Sequence, residues 1–247
     1  MIILGIDTAT PQIGCALGGP DGPLASFHAA RGRRHAETLT PAVAFVCAQA
    51  GVTFAEIGAI AVDVGPGLFT GLRVGLATGK AMAGALGVPM VGVTSLDVLA
   101  RPLDRAARPV AAMVDARRGE VFWALYRPSA AGMDRLGDYA VDEPAVVVAR
   151  LAALGEECLA VGDGARRYAA LLGDVDGVEV AGPSYAYPSA AWLVELASPL
   201  AEAGKSVAAQ ELEPVYLRTA DVRINWQQRP TDGPTDDPAR AVAGGGR

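Results

Sequence analysis

The sequence predicts a two-lobed α/β fold in which each lobe is a β-β-β-α-β-α unit, and three observations predict it. Apolar runs and helical spacings follow that order through the first hundred residues. The opening hairpin then recurs at a constant offset of 108, with Asp7 matching Asp115, Ile13 matching Val121, and Ala16-Leu17 matching Ala124-Leu125. Between the copies, residues 101–109 are charged and carry two prolines, Pro102 and Pro109, and read as a crossing between lobes. A chain of 247 residues, 51% hydrophobic and 19% charged, is long and apolar enough for two ordinary cores.

Residues 2–7, 13–17 and 24–29 are short apolar runs separated by turn-forming residues such as Pro11 and the Gly18-Gly19-Pro20-Asp21-Gly22 segment, so an antiparallel three-stranded meander is expected. Leu39, Val43, Val46, Cys47 and Ala50 fall at helical spacing, with Gly51 as the stop. Pro41 either takes the first helical position behind Thr40 or kinks a helix that begins nearer Ala36. Residues 57–64 read as a buried strand that Gly65, Pro66 and Gly67 end abruptly, and Thr70 is placed to cap the next helix, which runs to about Leu86. Residues 88–93 form the following strand. In the second copy, 110–115 and 120–126 flank a turn at 116–119, and 158–164 echo 59–65. Helical pieces are expected at 151–154, 168–172 and 192–200, with Pro199 shortening or kinking the last. Residues 213–218 look extended, and the Pro-, Gly- and Asp-rich stretch after Asn225 is expected to be disordered. The division is a first lobe at 1–104, a second at 105–210, a C-terminal element at 211–224 that packs back, and a tail at 225–247.

Composition narrows the function. With 21 basic and 27 acidic residues the net charge is -6, which disfavours a nucleic-acid backbone as direct ligand, although Arg31, Arg33, Arg34 and Arg73 make a local basic group. Three cysteines, odd in number and without a CxxC pair, fit a reducing compartment. The first residues lack a basic leader, and residues 38–55 are broken by Pro41, Gln49 and Gly51, so a cytoplasmic protein without a membrane span is expected.

The stretch Gly65-Pro66-Gly67-Leu68-Phe69-Thr70-Gly71-Leu72-Arg73, followed by Gly75 and Gly79, is the most unusual in the chain. Gly71, Gly75, Gly79 and Ala83 recur every four residues, so one helix face is nearly bare. An interior glycine costs about 1 kcal/mol relative to alanine, which requires a compensating close approach. That approach is made either by the helix's own sheet or by a partner. Spacing alone leaves the two even.

No catalytic constellation is legible. His28 and His35 are the two histidines, and the position four beyond His35 is Leu39, so a helical histidine pair for a metal cannot form. Neither histidine has a nucleophile partner, and no Gly-x-Ser-x-Gly elbow occurs.

Taken together, the duplicated halves resemble the actin-like, RNase H-like architecture of actin, sugar kinases and Hsp70. More closely, Ile3-Leu4-Gly5-Ile6-Asp7-Thr8-Ala9, Arg34-His35-Ala36-Glu37, the glycine stretch, Asp115-Ala116-Arg117-Arg118-Gly119-Glu120 and Pro214-Val215-Tyr216-Leu217-Arg218 are similar to the TsaB family, accessory subunits of the bacterial machinery that threonylcarbamoylates an adenosine beside the tRNA anticodon. The resemblance implies a non-catalytic subunit that forms a heterodimer with the catalytic subunit TsaD, is joined by the ATPase TsaE, dimerises with itself when alone, and touches tRNA only indirectly. It implies no cofactor of its own, with ATP and magnesium at most at the assembled complex. The implied partner face comprises Gly67, Phe69, Thr70, Gly71, Arg73, Val74, Gly75, Thr78 and Gly79 with His35 and Leu39; with the resemblance the partner becomes the preferred reading of the glycine row, so that Gly75→Leu is expected to leave the monomer folded and abolish binding. Asp7, Thr8, Asp115 and Arg117 would be a vestigial nucleotide site. A stand-alone ATPase or kinase of the same fold is the rival reading.

Overall fold

The computed structural model describes residues 1–30, 35–130 and 132–218. The first lobe runs β1 (Ile2–Asp7), β2 (Ile13–Gly19), β3 (Gly22–Ala29), α1 (His35–Ala50), β4 (Ile57–Asp63), α2 (Phe69–Leu86) and β5 (Met90–Val93). A short helix, α3 (Ser95–Ala100), leads to the second lobe: β6 (Val110–Arg117), β7 (Glu120–Ser129), β8 (Gly132–Asp142), α4 (Pro144–Ala152), β9 (Cys158–Val161), α5 (Asp163–Arg167), α6 (Ala169–Gly173) and β10 (Val178–Val180). Helix α7 (Ala190–Glu202) follows. The two sheets have the orders β3-β2-β1-β4-β5 and β8-β7-β6-β9-β10, antiparallel over the meander and parallel beyond it. This is the two-lobed α/β fold of doubled strand and helix order that the sequence predicts.

The lobes exchange helices. In the first, Leu4, Ile6, Ile60 and Val62 pack under α1 and α2 with Leu39, Val43 and Leu76. The opposite face, with Ile3, Ala59 and Ala61, is covered by Leu193, Val194 and Ala197 of α7, the last of the described helices. In the second lobe, Ala111, Met113 and Ala160 pack with Val147 and Leu151 of α4 and Leu172 of α6. Its other face, with Ala112, Val114 and Phe122, is covered by Leu96, Leu99 and Ala100 of α3. Each helix that follows a lobe's last strand therefore closes the sheet of the other lobe.

Register corrects the repeat. Gly18 and Tyr126 are 108 residues apart, but their cross-strand partners Ile3 and Val110 are 107 apart. The offset of 108 holds for β2 and β7 and slips by one for β1 and β6. A one-residue slip reverses the face on which a strand side chain stands, and indeed Leu4 faces α1 and α2 whereas Ala112, its match at 108, faces α3. The counterpart of Asp7 is thus Val114, and Asp115 takes the place of Thr8. By the same register, Ala59 pairs with Ile3 and Leu159 with Val110, which shifts the 59–65 echo by one and sets Asp63 against Asp163.

Several local expectations change. Thr70 does not cap α2: the N-cap is Leu68, without a side-chain cap, and the Leu68 amide instead donates to the Ala9 carbonyl at 2.7 Å. Pro41 lies inside α1, which starts at His35, and Pro199 lies inside α7 without ending it. Helix α3 was unread although Thr94 caps it, accepting from the Asp97 amide at 3.2 Å, a pattern visible as Thr-x-x-Asp. The C-terminal element docks through the Val215 amide on the Val64 carbonyl at 2.8 Å and through Arg218 on Glu120. The three cysteines are free and buried, and burial pushes the Cys15 thiol up to about 12 and Cys158 to about 11, which suits core packing. Among the described residues no helix is long and apolar enough to cross a membrane. Arg31, Arg33, Arg34 and the tail at 225–247 lie outside the described residues.

Candidate functional site: the outer face of α1 and α2 and the strand ends beneath it

Helix α2 lies down on the sheet through its glycines. A Cβ on Gly71 would meet the Thr8 carbonyl oxygen at 2.1 Å, on Gly75 the Thr8 hydroxyl at 2.3 Å, and on Gly79 a Val62 methyl at 2.7 Å. The Thr8 hydroxyl donates to the Gly71 carbonyl at 2.7 Å, a side-chain-to-backbone bond that ties the first turn to α2. All three glycines and Ala83 are buried. This corrects the preferred reading: the bare row is the inner seam of α2, not a partner face, and Gly75→Leu would collide with Thr8 and disrupt the fold. Gly67 is likewise used internally, since a Cβ there would meet the Ala9 carbonyl at 2.3 Å. Leu39, only 1% exposed, belongs to the core.

The residues named for a vestigial nucleotide site lie at the same closure. Asp7, Thr8 and Thr10 are each at most 1% exposed, with α2 seated directly on Thr8. Asp7 Oδ1 accepts from the Ala9 amide at 3.0 Å. In the second lobe Asp115 is 3% exposed and already paired: Arg117 reaches it at 2.8 Å and Arg167 at 3.5 Å, while its own amide donates to Asp163 at 3.0 Å. Arg117 and Arg118 have φ values of 62° and 56°, a bulge and tight turn that aim Arg117 back onto Asp115. Burial pushes the Asp163 carboxyl up to about 6. Thr8, and Asp115 with Arg117, are paired within their own lobes, while Asp7 engages a donor through Oδ1 alone. Among the described residues no three His, Cys, Asp or Glu side chains converge as a metal site.

What remains outside is the opposite face of the two helices. Phe69, Thr70, Arg73, Ala77, Ala81, Gly84 and Ala85 are exposed on α2, with Val74 and Thr78 half-buried beside them. On the adjacent α1, Ala36, Glu37, Thr40, Ala44, Phe45 and Ala48 are exposed. The charged residues of these helices, 16 and 18 residues long, are Glu37, Arg73 and Lys80. At one end Phe69, 48% exposed, lies 5.8 Å from the Tyr216 ring with the Arg73 guanidinium 3.8 Å above it. His35 is half-buried and its Nε2 donates to the Thr10 carbonyl at 2.9 Å, tying α1 to the first turn. Of the implied face, Phe69, Thr70, Arg73, Val74 and Thr78 thus share one surface. The residues that sequence reasoning missed are the second small row, Ala77, Ala81 and Gly84, whose signal is a recurrence of small residues at spacings of four and three one face over, and Tyr216, which only the tertiary fold brings to Phe69.

The family model described as TsaD, tRNA N6-adenosine threonylcarbamoyltransferase, matches residues 27–226. The tRNA threonylcarbamoyladenosine biosynthesis protein TsaB of Escherichia coli is 33% identical over 93% of this chain and 99% of its own length. The chain belongs to the TsaB family. The TsaB protein of Bacillus subtilis is 34% identical over 51% of this chain and 56% of its own length. Among solved structures, YeaZ of Pseudomonas aeruginosa superposes with a TM-score of 0.74 at 29% identity, over 87% of this chain and 99% of that one. Another Pseudomonas aeruginosa structure, described as an uncharacterized protein with similarity to peptidase YeaZ, gives 0.75 at 30% identity over 88% and 99%.

Proposed function

We propose that the chain is a non-catalytic subunit of the cytoplasmic machinery that makes threonylcarbamoyladenosine in tRNA, and that it works by binding the catalytic TsaD protein through the outer face of α1 and α2, with the ATPase TsaE joining the pair. The observation that carries the non-catalytic reading is the sealed strand end: Asp7 and Thr8 are 0% and 1% exposed under a helix whose glycines leave no room for a phosphate. The place of binding is supported by chemistry. Interface centres are depleted in charge, and aromatic and arginine anchors dominate their energy; here a nearly uncharged two-helix surface ends in Phe69, Arg73 and Tyr216. Small side chains at Ala77, Ala81 and Gly84 let a partner helix come close. The same surface serves a second copy when the partner is absent, and contact with tRNA is made through the complex. ATP and magnesium belong to the assembled complex rather than to this chain.

The test is a pull-down of TsaD with Ala77→Arg and Ala81→Arg, each expected to melt as the parent does while losing TsaD and failing to restore the modified nucleoside in cells lacking the parent. Retention of TsaD by both folded variants would overturn the face. Titration of the isolated chain with ATP and magnesium is expected to give no heat; tight binding with turnover would favour the stand-alone ATPase or kinase.

A further inference from the structure

Asp7 and Asp63 stand at the ends of the neighbouring parallel strands β1 and β4 and are 0% and 2% exposed. Each commits one carboxyl oxygen to nearby donors. Asp7 Oδ1 accepts from the Ala9 amide at 3.0 Å, and Asp63 Oδ1 accepts from the Gly65 amide at 2.8 Å and the Ser95 hydroxyl at 2.6 Å. The Oδ2 atom of each is buried and has no protein donor. Among the described residues no salt bridge reaches either carboxyl. The other charged group that bears on them is a further acid, Asp97 of α3, which accepts the hydroxyls of Tyr126 and Tyr139 at 2.7 and 2.8 Å. The hydroxyl of Thr8, next to Asp7 in the chain, is already donated to the Gly71 carbonyl of α2.

Two adjoining buried carboxyls that no basic side chain among the described residues reaches do not both ionise, because neither charge is compensated. We propose that Asp7 keeps its proton at neutral pH and donates it to the Asp63 carboxylate, so that β1, β4 and α3 are held by an acid–carboxylate pair that loosens when the proton leaves. The asymmetry follows from the donors: Asp63 already accepts two and suits the ionised state, whereas Asp7 accepts one. Burial and the neighbouring Asp63 both hold Asp7 well above the ordinary carboxylate range, and burial brings Asp63 up to about 6. Because Ser95 opens α3, which lies on the sheet of the second lobe, the proton sits at the joint between the lobes.

The sign of the pH effect is fixed. A carboxyl whose folded pKa is raised contributes its full stability below the unfolded value, about 3.9, and loses it as pH rises through the folded value, at up to tenfold in the folding constant per pH unit. Above pH 6, where Asp63 is ionised, that slope comes from Asp7. Asp7→Asn keeps Oδ1 for the Ala9 amide and places an N–H where the proton was. Denaturant unfolding of the full-length parent and of Asp7→Asn between about pH 6 and 9 is expected to give a logarithmic folding constant that falls more steeply in the parent, by up to one proton. In the infrared, the parent at pH 8 is expected to retain the carbonyl stretch of a protonated carboxylic acid, which Asp7→Asn lacks. Parallel pH profiles, or a parent spectrum at pH 8 with ionised carboxylates alone, would overturn the proposal; if Asp7→Asn fails to fold, the parent's spectrum decides.

Discussion

At the scale of single residues, the glycines of α2 separate two demands that look alike in one dimension. Gly71 and Gly84 both sit in the same helix, yet a Cβ on Gly71 would lie 2.1 Å from a backbone oxygen while one on Gly84 meets nothing within 4 Å. Gly71→Ala is therefore expected to cost about 3 kcal/mol or more, because backbone rather than a flexible side chain must move. Gly84→Ala is expected to stabilise by about 0.5–1 kcal/mol through helix propensity. Urea denaturation of the two variants checks both signs. The four-residue recurrence of glycine was legible in the sequence; the direction in which it faces was not, because a bare helix face is compatible with a sheet beneath it or a partner beside it. The buried carboxyls divide the same way. Asp7 stood out as a strand end, whereas Asp63 acquired meaning only when β4 was laid beside β1.

At the scale of elements, the helix starts show how far local chemistry reaches. Thr94 was a readable cap, and it also donates its hydroxyl to Tyr139 at 3.1 Å, which no local signal announces. Thr94→Ala is expected to cost about 1–2 kcal/mol, to be measured by thermal unfolding. Thr70 had the residue type of a cap but sits one position into α2, where the Ala9 carbonyl has already engaged the Leu68 amide. The third strand of the second lobe, β8, carries a mixed surface sequence with five consecutive exposed residues and so left no alternating signal. Its place is set by pairing with β7. The outer face of α1 and α2 was read in part: Phe69 and Arg73 on it were expected, Leu39 and the glycine row were not on it.

At the scale of the whole molecule, the exchange of α3 and α7 makes each lobe's core depend on the other. Leu193 is fully buried against the first sheet although it lies in α7, which follows the last strand of the second lobe. Leu193→Ala is expected to cost about 2–5 kcal/mol, and the two lobes are expected to melt in one transition, seen as coincident shifts in far-UV dichroism and in the fluorescence of Trp123, which lies in the core of the second lobe. Two separate transitions would show that the exchanged helices do not couple the lobes. The sequence by itself determined the α/β class, the doubled order of elements and the resemblance to the TsaB family, because alternation, helical spacing, turn residues and short motifs are all local patterns. Only the tertiary structure decided the one-residue slip that separates Asp7 from Asp115, the inward turn of the glycine row and the closing of the strand ends. Those depend on which face of a strand or helix meets which neighbour, and a single residue of register, invisible to pattern, reverses the answer.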